Sequence, residues 1–263
     1  MLTLSWDLHL HPGPSNVPRW GDGRRIWEAA READVAGFVW KSHEYHTHDL
    51  CAQLPAGPPY AIGSASLNPW ADEGGVVSAV ESGARWVWGP TCHADGTNDW
   101  DLPLPAWWED VWQALAGTGL RIVLATGHLD ADGRRRVAEA CAATSHISCS
   151  VTHTLFLREE EIVALSATGC AFEFDCFTYG RLIPGRSPGS LPRLAEAALA
   201  RGCIAYLTSD GGQASTGNPF LFAAATLEEL RRVCGDELTR TLSRSGPERF
   251  VHEALGVPEI SRA

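Results

Sequence analysis

Lysine is nearly missing from this chain: 20 of its 21 basic residues are arginine, and the one lysine is Lys41. Arginine bias alone can follow from genomic base composition, so the position of Lys41 is more informative than its rarity. The eight cysteines include no Cys-x-x-Cys pair, which disfavours a closed structural zinc site. No charged leader followed by an apolar segment opens the sequence, so the cysteines are expected as reduced thiols in a cytoplasmic protein. No apolar run approaches the roughly 20 residues that a membrane span needs. No basic cluster stands out beyond Arg134-Arg135-Arg136, and 21 basic against 32 acidic residues give a formal charge of −11. That balance argues against nucleic acid or an anionic membrane as partner. No Gly-x-Gly-x-x-Gly follows the first strand pattern, which counts against a dinucleotide-binding open sheet.

What is present is a rhythm. An amphipathic helix, a glycine, an apolar strand and a polar or histidine-bearing exit follow one another repeatedly. Helices are expected at 24–36, 75–82, 105–116, 131–144, 159–167 and 191–201, most of them closed by a glycine in the left-handed C-cap position. Strands are expected at 2–10, 38–41, 60–66, 85–88, 121–125, 146–152, 170–175 and 203–209. Strands alternating with helices imply parallel pairing, and eight such units match an α/β (β/α)₈ TIM-like barrel. With 44% hydrophobic residues the chain can bury a core of that size. No linker divides it, so residues 1–263 read as a single domain. Helices at 225–233, 237–244 and 247–255 are expected to pack outside the barrel.

The strand exits carry the chemistry. In Trp6-Asp-Leu-His-Leu-His11, period-two alternation puts His9 and His11 on one side, with Leu8 and Leu10 on the other. Pro12-Gly-Pro14 then stops the strand. The second strand ends in Lys41 and His43, and the fourth leads to Thr91 and His93. His128 follows the fifth, His153 the sixth, Glu173 and Asp175 end the seventh, and Asp210 follows the eighth. All exits of a barrel open on one face, the face where such folds perform catalysis. Neutral imidazoles with a carboxylate suit one or two divalent ions, zinc first, with manganese, iron or nickel as alternatives.

The ordered set His9, His11, His128, His153 and Asp210 resembles the amidohydrolase superfamily, the metal-dependent hydrolases built on (β/α)₈ barrels. That pattern is His-x-His after the first strand, histidines after the fifth and sixth, and an aspartate after the eighth. The resemblance covers nearly the whole chain, closest to poorly characterised members with Asp-Leu-His-Leu-His-Pro-Gly-Pro-Ser near the start and Ser-Asp-Gly-Gly-Gln near the end. It implies hydrolysis by metal-activated water, with Asp210 taking the proton and returning it to the leaving group. His93 or His128, or a second metal, would polarise the bond under attack. One departure is plain: the fourth exit, Gly89-Pro-Thr-Cys-His93, lacks the bridging lysine or glutamate of binuclear relatives. Lys41 is therefore read as a bridging carbamate or a neutral amine of the site; the alternative is a charged lysine paired with Asp7 or Glu44. His43 and His93 are candidate ligands or substrate contacts.

The substrate expected is a small molecule with an amide, cyclic amide or other C–N bond. Arg19, Arg181 and Arg186 are candidates to hold a carboxylate or phosphate bidentately. Trp20, Trp70 and Trp100 are candidates to wall an apolar pocket. Loops are expected over 177–190 and 211–222. A phosphoesterase of the polymerase-and-histidinol-phosphatase type is a competing reading, although Ser209-Asp-Gly-Gly212 lacks the usual Asp-x-His ending. A single-metal decarboxylase and a non-enzymatic metal-binding barrel stay open as well. So does homo-oligomerisation.

Overall fold

Eight parallel strands stand side by side in chain order, β1 (Trp6–Leu10), β2 (Gly37–Trp40), β3 (Tyr60–Ser66), β4 (Trp86–Trp88), β5 (Ile122–Ala125), β6 (Ile147–Val151), β7 (Ala171–Asp175) and β8 (Ala205–Thr208). The computed structural model describes residues 2–92, 99–179 and 190–257. Runs such as Trp-Val-Trp and Ile-Val-Leu-Ala are buried along their whole length, as strands covered on both faces must be. Between β8 and β1 the ring closes through a parallel bridge of Leu10 with Gly211, a His11 N–H to Gly211 carbonyl bond of 2.9 Å, and Ser209 N–H donating to Asp7 Oδ1 at 3.0 Å. This is the expected (β/α)₈ barrel.

The helices between strands are α1 (Gly23–Glu32), α2 (His48–Cys51), α3 (Glu73–Glu81), α4 (Trp108–Gly117), α5 (Ala131–Ala142), α6 (Glu159–Ser166), α7 (Cys176–Tyr179) and α8 (Ser190–Leu199), followed by α9 (Pro219–Arg240) and α10 (Gly246–Leu255). Asp22, Asp72 and Asp130 cap α1, α3 and α5 by accepting a backbone N–H three residues on. Gly83, Gly119, Gly169 and Gly202 take positive φ just before β4, β5, β7 and β8, as the rhythm requires. Helix α1 is shorter than expected. Asp34 takes the left-handed turn with φ 56°, and Gly37 is instead the first residue of β2. A side chain at Gly37 would meet Trp6 Cζ3 at 2.3 Å and Tyr60 O at 2.5 Å, so close packing and not a cap requires glycine there. The loops expected over 177–190 and 211–222 are likewise trimmed, by α7 and by the start of α9 on Asn218-Pro219.

Two further readings change. Leu8 joins Trp6 in the barrel interior while Leu10 packs under α1, because the β1–β2 register shifts between Asp7 and Leu10. A bulge of this kind reverses side-chain parity within one strand. The second concerns α10. It does not lie on the outer wall; Phe250, Val251 and Ala254 join the interior cluster with Trp86, Trp88 and Tyr206. Phe250 stacks on Tyr206 at 5.2 Å and meets Trp86 edge-on at 5.9 Å, so α10 seals the base of the barrel. Helix α9 does pack outside, with Ala223, Leu227 and Leu230 in the outer cluster, and breaks at Gly235. No disulfide links the eight cysteines, and among the described residues no helix is long and apolar enough to cross a membrane.

Candidate active site

The β1 bulge delivers His9 and His11 to the barrel mouth. His9 Nε2 lies 3.4 Å and His11 Nε2 3.1 Å from the same oxygen, Oδ1 of Asp210. Lys41 follows β2 and donates its backbone N–H to Leu10 O at 2.9 Å, which sets its side chain beside β1. Its Nζ stands 3.0 Å from His9 Nε2 and 4.4 Å from the centroid of the Trp88 ring. Trp88 also touches the His9 ring, at 4.6 Å, and so forms the floor of the site. His153 and Asp210 leave β6 and β8 in left-handed backbone conformations, φ 53° and 45°. Non-glycine residues held there cost free energy and cluster at functional sites. The turns aim both side chains inward.

Three of the imidazoles are held from behind, whereas His11 Nδ1 is buried without a partner. His9 Nδ1 is 2.7 Å from Glu173 Oε1, and His153 Nδ1 is 2.9 Å from Asp175 Oδ2. His128 Nδ1 meets the carbonyl of Asp99 at 2.7 Å, so that nitrogen carries the proton and Nε2 is left as a lone-pair donor. Burial pushes His9 and His11 well below the ordinary imidazole range, with the Lys41 charge acting the same way. His43 and His128 are lowered for the same first reason. Lys41 is brought down to about 8 by burial, against the attraction of Asp210, Glu173 and Asp175. Burial, with Asp175 beside it, holds Glu173 well above the usual carboxylate range, and Asp7 is pushed up to about 7 by burial.

These environments fit a divalent cation. Donor atoms of His9, His153 and Asp210 lie within 4.8 Å of one another, all buried. His9 Nε2 and His11 Nε2 face one oxygen of the Asp210 carboxylate, a set of nitrogen and oxygen donors that suits a divalent cation. Three buried carboxyl groups, Asp210, Glu173 and Asp175, act on the buried cationic side chain of Lys41. The backing of His9 by Glu173 and of His153 by Asp175 is the support that metal-binding histidines usually have.

Above this group opens a cavity of ≈ 420 Å³. His9, His11, Lys41, His43, His153 and Asp210 line its base. Its walls include Arg19, bridged to Gln213, and the ring cluster of Trp100, His128 and Phe156, with Val17 and Phe177 also in the lining. The Trp100 ring stacks on His128 at 3.9 Å and lies 4.0 Å from Phe156.

Comparison with known proteins bears on the fold. A profile of a family of unknown function, DUF6282, matches residues 5–102. No curated protein matches the chain. Among solved structures, a prolidase complexed with N-methylphosphonate-L-proline superposes with TM-score 0.63 at 12% identity, over 99% of this chain and 77% of that one. The A. niger ochratoxinase gives 0.62 at 13%, over 97% and 72%. A probable 2-pyrone-4,6-dicarboxylic acid hydrolase from Acinetobacter baumannii gives 0.58 at 11%, over 96% and 99%. The likeness is one of fold.

Of the residues singled out in the sequence, His9, His11, Lys41, His43, His128, His153, Asp210 and Arg19 come together around one cavity. His93, Arg181 and Arg186 lie outside the described residues. Lys41 makes no ion pair with Asp7 or Glu44: Asp7 accepts from Ser209 N–H, and Glu44 accepts from Ser15, Ser42 and the Asn16 N–H. Of the three loop tryptophans, only Trp100 lines the cavity. Trp20 lies under the Arg25 guanidinium, and Trp70 donates to the His43 carbonyl with its ring against His46. Glu173 and Asp175 are visible in the sequence as carboxylates at the end of β7, but their histidine partners are not. Phe156 and Phe177 carried no signal, since single aromatics just past a strand read equally well as core.

Proposed function

We propose that this protein is a metal-dependent hydrolase of the amidohydrolase type, cleaving an amide, cyclic amide or related C–N bond of a small molecule. The observation that carries the reading is Asp210 Oδ1 set between His9 Nε2 and His11 Nε2 at the floor of an open cavity. His9, His11, His153 and Asp210 would hold one divalent ion, zinc first by the chemistry of nitrogen and oxygen donors, with His43, His128 and Lys41 placed to serve a second. The ion supplies Lewis-acid polarisation and makes water more acidic.

The chain's own groups do the rest. Glu173 and Asp175 fix the imidazole rings by accepting their Nδ1 protons. Asp210 accepts the proton of an attacking water on its carboxylate and returns it to the departing nitrogen. Where no second ion is held, Lys41 Nζ, buried beside His9, would donate to charge building on the substrate oxygen. The aromatic side walls exclude bulk water, which strengthens each of these interactions. The reading carries with it one domain over residues 1–263, a cytoplasmic location and a small-molecule partner.

The test is metal analysis of the purified protein, followed by an amide, cyclic amide, ester and phosphoester panel on wild type and Asp210→Asn. Metal content of one or two ions per chain, with C–N cleavage falling by roughly 10²- to 10⁴-fold in the variant, is expected. Turnover near the wild-type level in a folded Asp210→Asn protein would remove the proposed role. Cleavage confined to phosphoesters would move the protein to the phosphoesterase class.

A further inference from the structure

The cavity is polarised, and the polarity describes a substrate. On one side Arg19 stands in the segment between β1 and α1, tied to the segment after β8 by an antiparallel bridge with Gln213. Its Nε is sealed from solvent with no hydrogen-bond partner, and its guanidinium makes no ion pair among the described residues. A guanidinium presents a planar fork of donors, and leaving a buried edge of it unpaired is costly unless a ligand completes it. On the other side Trp100, Phe156 and His128 form a continuous ring surface. Those three follow β4, β6 and β5, whereas Arg19 follows β1; in a ring of eight, β4 and β6 each lie three strands away from β1. The two walls therefore face each other across the mouth, with His9, His153 and Asp210 between them.

Building on the hydrolase reading, we infer that the substrate is a small carboxylate whose anionic end is gripped by Arg19 and whose aromatic or bulky apolar end lies on Trp100 and Phe156, with the scissile bond between. A monoanion fits better than a phosphate dianion. Glu44 and Asp210 both act electrostatically on Arg19, so this wall holds one compensating positive charge and not an excess. A cavity of ≈ 420 Å³ admits a ligand with one ring and a short acid arm. Trp100 is 42% exposed, so its face is reachable from solvent.

Three probes test this: N-benzoylglycine, which has ring, amide and carboxylate; N-benzoylglycinamide, which lacks the charge; and N-acetylglycine, which lacks the ring. Binding is measured by calorimetry on the protein as purified, and benzoate release is followed separately. N-benzoylglycine is expected to bind roughly 10- to 100-fold more tightly than its amide, the scale of a hydrogen-bonded charge pair. Arg19→Gln should erase that preference, Arg19→Lys should keep part of it, and Trp100→Ala should weaken N-benzoylglycine while leaving N-acetylglycine unchanged. Equal affinity for acid and amide, a preference that survives in folded Arg19→Gln, or no binding of any probe would overturn the inference. If Arg19→Gln does not fold, the wild-type comparison of acid and amide decides alone. Charge-selective binding without cleavage of any C–N bond sinks the hydrolase reading and leaves this one standing. Cleavage indifferent to charge does the reverse.

Discussion

Glu173 offers the sharpest test of how the metal site is built. Its Oε1 is 2.7 Å from His9 Nδ1, and both side chains are completely buried. Glu173→Gln retains an acceptor for the Nδ1 proton but removes the negative charge; Glu173→Leu removes both. Loss of such a supporting partner typically costs roughly 10- to 100-fold in metal affinity, and we expect Gln near the lower figure and Leu near the upper. At a free metal concentration of about 100 times the wild-type Kd, bound metal stabilises the fold by about 2.7 kcal/mol; a tenfold weaker variant keeps about 1.4 kcal/mol. For a chain of this size that difference lowers the holo-protein Tm by roughly 2–3 °C. The metal-free Glu173→Gln protein should change little by comparison, whereas Glu173→Leu leaves His9 Nδ1 buried without a partner and should lose about 1–3 kcal/mol. Gln exchanges a buried carboxyl, whose Oε2 has no partner, for a neutral amide of the same shape. Metal affinity is read by competition with a chromophoric chelator, and Tm by calorimetry with and without EDTA. If both variants bind metal as tightly as wild type, Glu173 does not support a metal-binding His9 and the site has been misread.

Further outcomes follow from other positions. Gly37→Ala should destabilise by about 1–3 kcal/mol in urea unfolding, since the new Cβ collides with Trp6 and the Tyr60 carbonyl. Asp130→Ala should cost about 1 kcal/mol in urea unfolding by removing the α5 cap. Phe250→Ala should cost about 3–5 kcal/mol by opening a cavity under Tyr206 and Trp86, visible as a lower Tm without altered metal affinity.

The barrel was legible because its signals are local and repeated. Each helix–glycine–strand unit can be read from its own residues, and eight of them leave little choice of topology. The histidines and Asp210 were legible because their places depend only on where strands end. What could not be read was relational. That Glu173 serves His9 while Asp175 serves His153 depends on the twist that carries neighbouring residues of β7 toward different strands. The parity reversal between Leu8 and Leu10 arises from a register shift against β2, which no periodicity within β1 announces. Helix α10 has the amphipathic pattern of any surface helix, and only the aromatic floor of Trp86 and Tyr206 explains its place at the barrel base. Trp20, Trp70 and Trp100 were alike in sequence, and loop geometry alone separated them.

The seal that α10 provides also fastens the late part of the chain to its beginning. Ser5 donates its N–H to Ser243 O, and Phe250 rests on rings from β4 and β8, so the floor joins the first strand to residues some 240 positions later. Trp86 and Tyr206 are covered from below by Phe250, so the underside of the barrel is closed only when α10 is docked. Contacts of such long range carry a loop-closure cost, and they lie at the end of the barrel opposite its chemistry.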